Sequence, residues 1–335
     1  KHGVSSLAWS PSGDRLALVA PAGEPRFIVG EERPGKSPMA RRLTRLDFRD
    51  DDAGHIDRRA HLWVLPVRVG ATPRQLTHGD FDVAHPAWAP DGRRIAFDAD
   101  LGPDATINPR TRIFSVSTTG PTPRMTELAS LAADALRPAF SPDGRQLAFI
   151  GTDVADPPDE VQPTLWVRTL PSGAPRCLTA DLDRPIGEWA WNDLLGAEES
   201  PGPAWLGDGT IGVIVGTNGR GIPYRVTLDG VAQPMVDPAT RMASAGIVAV
   251  GGVVAVTAAV DGGAGEVWSV DGGRLRRVTR EGSAWLRKFP QVQLDELMLP
   301  GPAGPIQSWV ASPPGAGRRV ERSTRSPCAP PATGS

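Results

Sequence analysis

The chain of 335 residues has little cysteine, a single tyrosine and no excess of charge of either sign. Its two cysteines are Cys177 and Cys328, the second in a polar terminal stretch, which excludes a disulfide framework and a cysteine-rich zinc site. Against 36 Lys+Arg stand 38 Asp+Glu, a formal net charge of -2. That balance leaves no global electrostatic footprint for nucleic acid or an anionic membrane, and neither is expected as a partner. Histidine is scarce and confined: His2, His55, His61, His78 and His85 all fall in the first 85 residues. No G-x-S-x-G sequence and no His-Gly-Gly loop occurs. A serine hydrolase of the α/β type needs its nucleophile on such a strained turn, followed in chain order by an acid and then a histidine. No catalytic residue is therefore assigned.

Long apolar runs are lacking too, with one exception. Met242 to Val260 (MASAGIVAVGGVVAVTAAV) carries no charge over 19 residues, about the length that a bilayer demands of a helix. Gly251-Gly252 stands at its middle, and the valine-rich pieces Ile247 to Val250 and Val253 to Ala258 read as two buried strands around a two-residue turn. The strand reading is preferred because this segment falls on a repeat grid.

What the chain has in abundance is turn residues, 38 Gly and 35 Pro, well above their combined ordinary usage of about 12%. They are spread along the chain and mark repeats. AWSPSGDRLALVA begins at Ala8, AWAPDGRRIAFDA at Ala87, AFSPDGRQLAFIG at Ala139 and AWLGDGTIGVIVG at Ala204. Each reads as an apolar strand ending on an aromatic (Trp9, Trp88, Phe140, Trp205), a turn with Gly at its positive-φ place (Gly13, Gly92, Gly144, Gly209), and a second apolar strand. Met242 to Val260 is a degenerate fifth copy. A second hairpin motif interleaves, starting at His61, Arg112, Thr164, Pro223 and Glu266, with aromatics Trp63, Phe114, Trp166, Tyr224 and Trp268 spaced by 51, 52, 58 and 44 residues. Two hairpins per period make four strands, the content of one propeller blade. The aromatics are expected to fill the space between blades.

The fold class expected is all-β, a β-propeller of four-stranded antiparallel blades, about five visible, forming an incomplete ring of the seven-bladed type. The expected blades run about 5–80, 81–135, 136–184, 185–240 and 241–284, within a propeller spanning 1–296. Helical propensity is confined to Thr126 to Leu136 (TELASLAADAL), expected as a short helix with Thr126 as its cap. Pro21 to Arg59 is polar and charged, and is expected to be an insertion in the first blade, an extended hairpin or flap. Residues 314–335 lose all periodicity and read as a disordered or aberrant tail. At the other end Lys1 is followed at once by a patterned element, so the chain is expected to be a piece of a longer protein. No leader is in view, and a cytoplasmic location is the expectation.

The SPDGR-type hairpins, LDFRDDDAGHIDRRAHLWV from Leu46 to Val64, LTADLDRPIGEWAW from Leu178 to Trp191 and VWSVDGGRLRRVT from Val267 carry a resemblance. Together they resemble the propeller domain of the prolyl oligopeptidase (S9) family of serine peptidases, in its acylaminoacyl-peptidase and dipeptidyl-aminopeptidase-like branch. Met298 to Pro314 resembles the hairpin by which that family passes from propeller to hydrolase domain, with Ala303-Gly304 in place of the usual Asp-Gly. Residues 297–313 are accordingly expected to begin the junction to an α/β-hydrolase domain absent from this chain. The resemblance implies a propeller that gates and selects peptide substrates for that domain in cis, and a chain inactive alone. The alternative is a TolB-like non-enzymatic propeller that serves as a protein-binding platform.

Other chemistry is weak in the sequence. His55 and His61 are six apart and His78 and His85 seven, neither the i, i+4 pair of a helical zinc site, and all are expected in loops or at strand edges. Asp50, Asp51 and Asp52 before Gly54 lack the alternating spacing of a calcium loop. Gly216 to Gly221 (GTNGRG) lacks the lysine of a phosphate loop and is expected to be a hairpin turn. No cofactor or metal is expected. Arg41, Arg42, Arg45, Arg58 and Arg59 could attract peptide carboxylates, and Glu198 and Glu199 a peptide amino terminus, but each is more simply a solvated charge.

Overall fold

The computed structural model describes residues 3–23, 45–50, 54–56, 58–121, 123–156, 161–187, 201–289 and 292–315. Residues 1–280 form one compact unit and residues 281–335 a second.

The first unit is built from five antiparallel four-stranded sheets. In the first, β1 (Ser6–Trp9) and β2 (Arg15–Pro21) make a hairpin, β3 (Arg49–Asp50) and β4 (Gly54–His55) stand apart as a small ladder, and β5 (Ala60–Pro66) and β6 (Arg74–Gln75) complete the order β1-β2-β5-β6. The second holds β7 (Val83–Trp88), β8 (Arg94–Ala99), β9 (Arg112–Ser117) and β10 (Met125–Ala129). The third holds β11 (Ala135–Phe140), β12 (Gln146–Gly151), β13 (Thr164–Thr169) and β14 (Arg176–Cys177). The fourth holds β15 (Ala204–Trp205), β16 (Ile211–Thr217), β17 (Arg220–Val226) and β18 (Ala232–Pro234). The fifth holds β19 (Met242–Val250), β20 (Val253–Val260), β21 (Glu266–Asp271) and β22 (Arg274–Arg277). Each sheet pairs its strands in chain order, so each is one blade made of two hairpins.

Period-2 alternation decides which side chain enters which core. On β8, Ile95 and Phe97 bury against Ala17, Val19, Leu62 and Val64 of the first blade. The intervening Ala96 turns to Ala135, Leu147 and Phe149 of the third. On β16, Ile211, Val213 and Val215 meet Ala148, Ile150 and Val167 of blade 3, while Ile214 meets Met242, Val254 and Val256 of blade 5. Both faces of the middle blades are thus buried, which is why their strands read as continuous apolar runs. Phe97, Phe149, Ile95 and Leu147 are fully buried, each stabilising the unit by roughly 1.5–3 kcal/mol relative to exposure. The four cores join blades 1–2, 2–3, 3–4 and 4–5. Gly212 matters to the last junction, since a Cβ there would stand 2.8 Å from Ile247 Cδ1.

Met242 to Val260 is the expected hairpin. Val250 pairs with Val253 across Gly251 and Gly252, whose φ of 58° and 80° are the left-handed values of a tight two-residue turn. Among the described residues no helix is long and apolar enough to cross a membrane. GTNGRG is likewise a turn, with Asn218 and Gly219 between β16 and β17.

Thr126 to Leu136 is not a helix. Met125 pairs with Val116, Thr126 with Ser115 and Glu127 with Phe114, so the segment supplies the fourth strand of blade 2, and Ala135 and Leu136 already belong to β11. Leu128 and Ala129 are buried in the blade 2–3 core. Local helical propensity amounts to tenths of a kcal/mol per residue and yields to a ladder of hydrogen bonds plus that burial.

In the second unit a short helix, α1 (Glu281–Leu286), is followed by a two-stranded hairpin of β23 (Gln293–Gly301) and β24 (Gly304–Ser312). Pro300 pairs with Pro305 and Gly301 with Gly304 next to its turn.

Candidate functional site

The first strands of successive blades approach one another, β1 with β7, β7 with β11, β11 with β15 and β15 with β19, which places them at the inner edge of the fan. There the repeat X-Pro-Ala-aromatic recurs as His85 to Trp88, Arg137 to Phe140 and Gly202 to Trp205. Register shifts between Ala84 and Ala87, and between Leu136 and Ala139, mark a bulge at this place in blades 2 and 3. His85 and Arg137 sit in the bulges with positive φ of 47° and 57°. Side chains rarely hold that conformation without compensation. Asp98 supplies it. Its buried carboxylate accepts a 2.7 Å hydrogen bond from the backbone N–H of Arg137 and lies 2.7 Å from Nδ1 of His85. One carboxylate therefore holds both bulges across the blade 2–3 junction. It orients an imidazole as a catalytic aspartate would, but no serine or cysteine joins the pair among the described residues.

A second histidine has a hydroxyl partner. His61 Nδ1 lies 3.0 Å from Thr77 Oγ1 and Nε2 3.1 Å from the carbonyl of Gly79. Thr77 Oγ1 accepts the N–H of Leu62, so its own proton goes to Nδ1 and the ring carries hydrogen on Nε2. Both side chains are buried, so the hydroxyl is closed to substrate. Thr179 makes the same bond to the N–H of Leu165, and Thr279 to that of Val267, with no histidine present. The threonine closes the fourth strand onto the third, and the resemblance to a nucleophile–base pair is structural. Burial pushes the His61 imidazole below the ordinary histidine value. The expectation that the histidines lie in loops or at strand edges fails for His61, which is on a strand paired on both sides, because its two ring nitrogens satisfy neighbouring groups. His78 lies in the loop beside it, 6.4 Å between ring centroids.

The charged residues weighed as peptide contacts and read as solvated divide. Arg41, Arg42, Glu198 and Glu199 lie outside the described residues. Arg45 and Arg59 do not face solvent freely. Arg45 bridges Asp47 and Asp80 at 2.8 and 3.3 Å, and Arg59 bridges Asp47, Asp80 and Asp82 at 3.1, 2.9 and 2.8 Å. Burial works against the Arg59 guanidinium, but the bonds to Asp80 and Asp82 outweigh it and hold its pKa above the usual range. Hydrogen bonds from Arg45 and Arg59 hold Asp47 and Asp80 below the usual carboxylate value. The cluster ties the end of the insertion to the connection between blades 1 and 2. No group of three or more His, Cys, Asp or Glu side chains could hold a metal ion among the described residues.

The aromatics perform the spacing expected of them and add a donor. Trp88 Nε1 donates to the carbonyl of Ala8, and Trp205 Nε1 to that of Ala139, at 3.0 and 2.9 Å, each tying a blade to the one before it. Trp9, Trp285 and Trp309 depart from the expectation, being 56%, 48% and 44% exposed.

Five hairpin-paired blades joined by apolar cores, with first strands at the inner edge, make this a β-propeller chain. The comparisons agree. The chain is 27% identical to the uncharacterized peptidase YuxL of Bacillus subtilis (strain 168), over 64% of this chain and 44% of that protein. It thus spans less than half the length of that relative. Among solved structures it is similar to Pyrococcus horikoshii acylaminoacyl peptidase, with a TM-score of 0.59 and 12% identity over 92% of this chain and 43% of that one. It is similar also to a TolB of Agrobacterium tumefaciens, with a TM-score of 0.54 and 17% identity over 82% of this chain and 80% of the other. No protein-family model matches the chain.

Proposed function

We propose that this chain is the substrate-selecting propeller of a serine peptidase, acting with an α/β-hydrolase domain that supplies the catalytic triad. The observation that carries the reading is the peptidase relative aligned with these repeats, in a sequence whose histidines all precede residue 86 and which has no nucleophile elbow. A rigid fan of blades suits the role. Packed junctions fix the geometry of the inner edge, so passage is set by size, and peptides reaching a hydrolase beyond it arrive oriented. The propeller alone performs no bond cleavage on this reading.

The test joins this chain to the reading frame that follows it in its gene and assays peptidyl chromogenic substrates of graded length. The joined protein is expected to cleave short peptides and spare folded proteins, while the chain alone cleaves neither. Turnover by the chain alone would sink the proposal, as would a following frame without G-x-S-x-G, Asp and His in that order. The TolB likeness covers most of both chains and favours a second reading, a protein-binding platform. Capture of a folded protein by a chain whose gene encodes no hydrolase would select it.

A further inference from the structure

In an antiparallel sheet whose strands pair in chain order, the turns after the first and third strands fall at the same end of the sheet. In blades 1, 2 and 3 those six connections read SPSGD, VRVGATP, APDGR, TTGPTPR, SPDGR and LPSGAP. Contacts between blades gather them at one end of the first unit. Arg15, just after the first turn of blade 1, donates to the carbonyl of Gly92 in the first turn of blade 2. Arg74, after the second turn of blade 1, donates to the carbonyls of Thr118 and Gly120 beyond β9. A Cβ on Gly144, in the first turn of blade 3, would stand 3.5 Å from Pro90 in that of blade 2. The turns therefore make one continuous surface.

The charge of that surface is one-sided. Arg68, Arg93, Arg94, Arg124 and Arg145 are exposed on it, against Asp14, Asp91 and Asp143. Each aspartate is folded into its own turn: Asp14 accepts the hydroxyls of Ser10 and Ser12, Asp91 the N–H of Arg93, and Asp143 the hydroxyl of Ser141 and the N–H of Arg145. The arginines have no such duty. Of the five guanidinium groups Arg145 alone has an ion-pair partner among the described residues, Asp143 at 3.9 Å, and its side chain is 84% exposed. At the opposite end of the same blades the exposed charge is reversed, with Asp80, Asp82, Asp104, Asp153 and Asp156 against Arg49 and Arg110. The net charge of -2 for the whole chain conceals this separation.

We propose that the turn surface of blades 1, 2 and 3 binds the acidic residues of peptide substrates. Its guanidinium groups are carried by tight turns on rigid sheets and match carboxylates fork to fork, so binding breaks few bonds within the chain. The separated charge brings anionic peptides to this end of the blades and repels them from the other. None of the six connections holds an aromatic residue, so nothing in them stacks a base, and the surface suits a peptide carboxylate better than a nucleic acid. The role in substrate choice rests on the peptidase reading above; the binding itself does not.

The experiment follows the fluorescence anisotropy of labelled hexaglutamate, hexalysine and a Gly-Ser hexapeptide with the full 335-residue chain. Only hexaglutamate is expected to bind, and at least about tenfold more weakly when salt rises from about 0.01 M to about 0.1 M, as the screening length falls from about 30 to about 10 Å. R93E/R145E is expected to weaken binding at least about tenfold. R110E/R184E makes the same change of charge at the opposite end and is expected to stay within about twofold of the unaltered chain. Where the reversal lowers the thermal transition, R93Q/R145Q replaces it, with a loss of about threefold expected. Absent or salt-insensitive binding of hexaglutamate overturns the proposal, as do equal losses in the two reversed variants. Tighter binding of a six-nucleotide single-stranded DNA than of hexaglutamate overturns it as well. In the protein joined to its following reading frame, kcat/KM is expected to rise when acidic residues are added to a short chromogenic peptide, and R93E/R145E to abolish the preference. A joined protein without peptidase activity removes the peptidase reading and leaves the binding result standing; a peptidase indifferent to substrate charge removes this proposal alone.

Discussion

The indole Nε1 of Trp88 in blade 2 lies 3.0 Å from the carbonyl oxygen of Ala8 in blade 1, and Trp205 repeats the relationship with Ala139 at 2.9 Å. At the intervening junction the aromatic is Phe140, which packs in the blade 2–3 core but has no N–H to give. The repeat therefore uses the first-strand ring for volume at three junctions and its donor at two of them, β19 of blade 5 having no aromatic.

Trp88→Phe is expected to cost about 1 kcal/mol, the net value of one hydrogen bond plus a modest change in packing. Trp88→Ala adds a cavity at the blade 1–2 core and is expected to cost about 3–5 kcal/mol. Denaturant unfolding followed by fluorescence separates the two. Equal losses would mean that the donor rather than volume fixes the junction.

Thr179→Val keeps the shape of the side chain and removes the oxygen that accepts the N–H of Leu165. Leaving that buried donor unpaired is expected to cost about 1–3 kcal/mol. Thr77→Val is expected to cost more, because His61 loses a partner as well. Hydrogen exchange at the Leu165 and Leu62 amides checks this directly: both should exchange faster in the respective variants.

Asp98→Ala releases the Arg137 N–H and the His85 ring together. Hydrogen bonds to a charged group are worth about 1.5–3 kcal/mol, and two positive-φ residues lose their support, so a loss of about 3 kcal/mol is expected. Asp98→Asn retains one acceptor and is expected to lie between. Thermal unfolding ranks the three proteins, and a wild-type transition for Asp98→Ala would show that the bulges stand without the carboxylate.

Stability is expected to fall with pH in two windows. Burial holds His61 below its ordinary value of 6.5, so below that pH the unfolded chain takes up a proton that the folded one refuses, and stability declines as pH drops. His61→Gln should flatten that part of the profile. Asp47 and Asp80 are held below 3.8, so their contribution is present above that value and is lost as pH falls beneath it. Arg59→Ala leaves Asp47 and Asp80 to Arg45 and takes from Asp82 its arginine partner. It is expected to remove most of the Asp80 part of the lower window, to leave the Asp47 part that Arg45 sustains, and to cost about 1 kcal/mol near neutral pH, since Asp80 and Asp82 are largely exposed. Melting temperature against pH for the three proteins tests both windows.

The hairpins were legible because their signals are local. A Pro-Asp-Gly or Gly-Gly turn admits one backbone geometry, and apolar strands of the right length on either side have few other ways to be covered. Thr126 to Leu136 was illegible for the opposite reason: its helical propensity is local, while its ladder partner Val116 and its burial against blade 3 are not. Arg45 and Arg59 read as solvated because the sequence places Asp80 and Asp82 more than twenty residues away from them. The two tryptophan donors belong to the same class, since each acceptor lies in another blade.

The amino-acid sequence by itself determined the strands, their grouping in fours and the lack of a nucleophile elbow, because period-2 patterning and turn chemistry are set by neighbours along the chain. Only the tertiary structure decided that Asp98 supports two bulges, that Thr77 occupies His61, and that Trp88 and Trp205 reach carbonyls of the blade before them. Those relationships depend on which residues of different blades come within about 3 Å of one another, a distance that hydrogen bonding requires and that no pattern along one strand encodes.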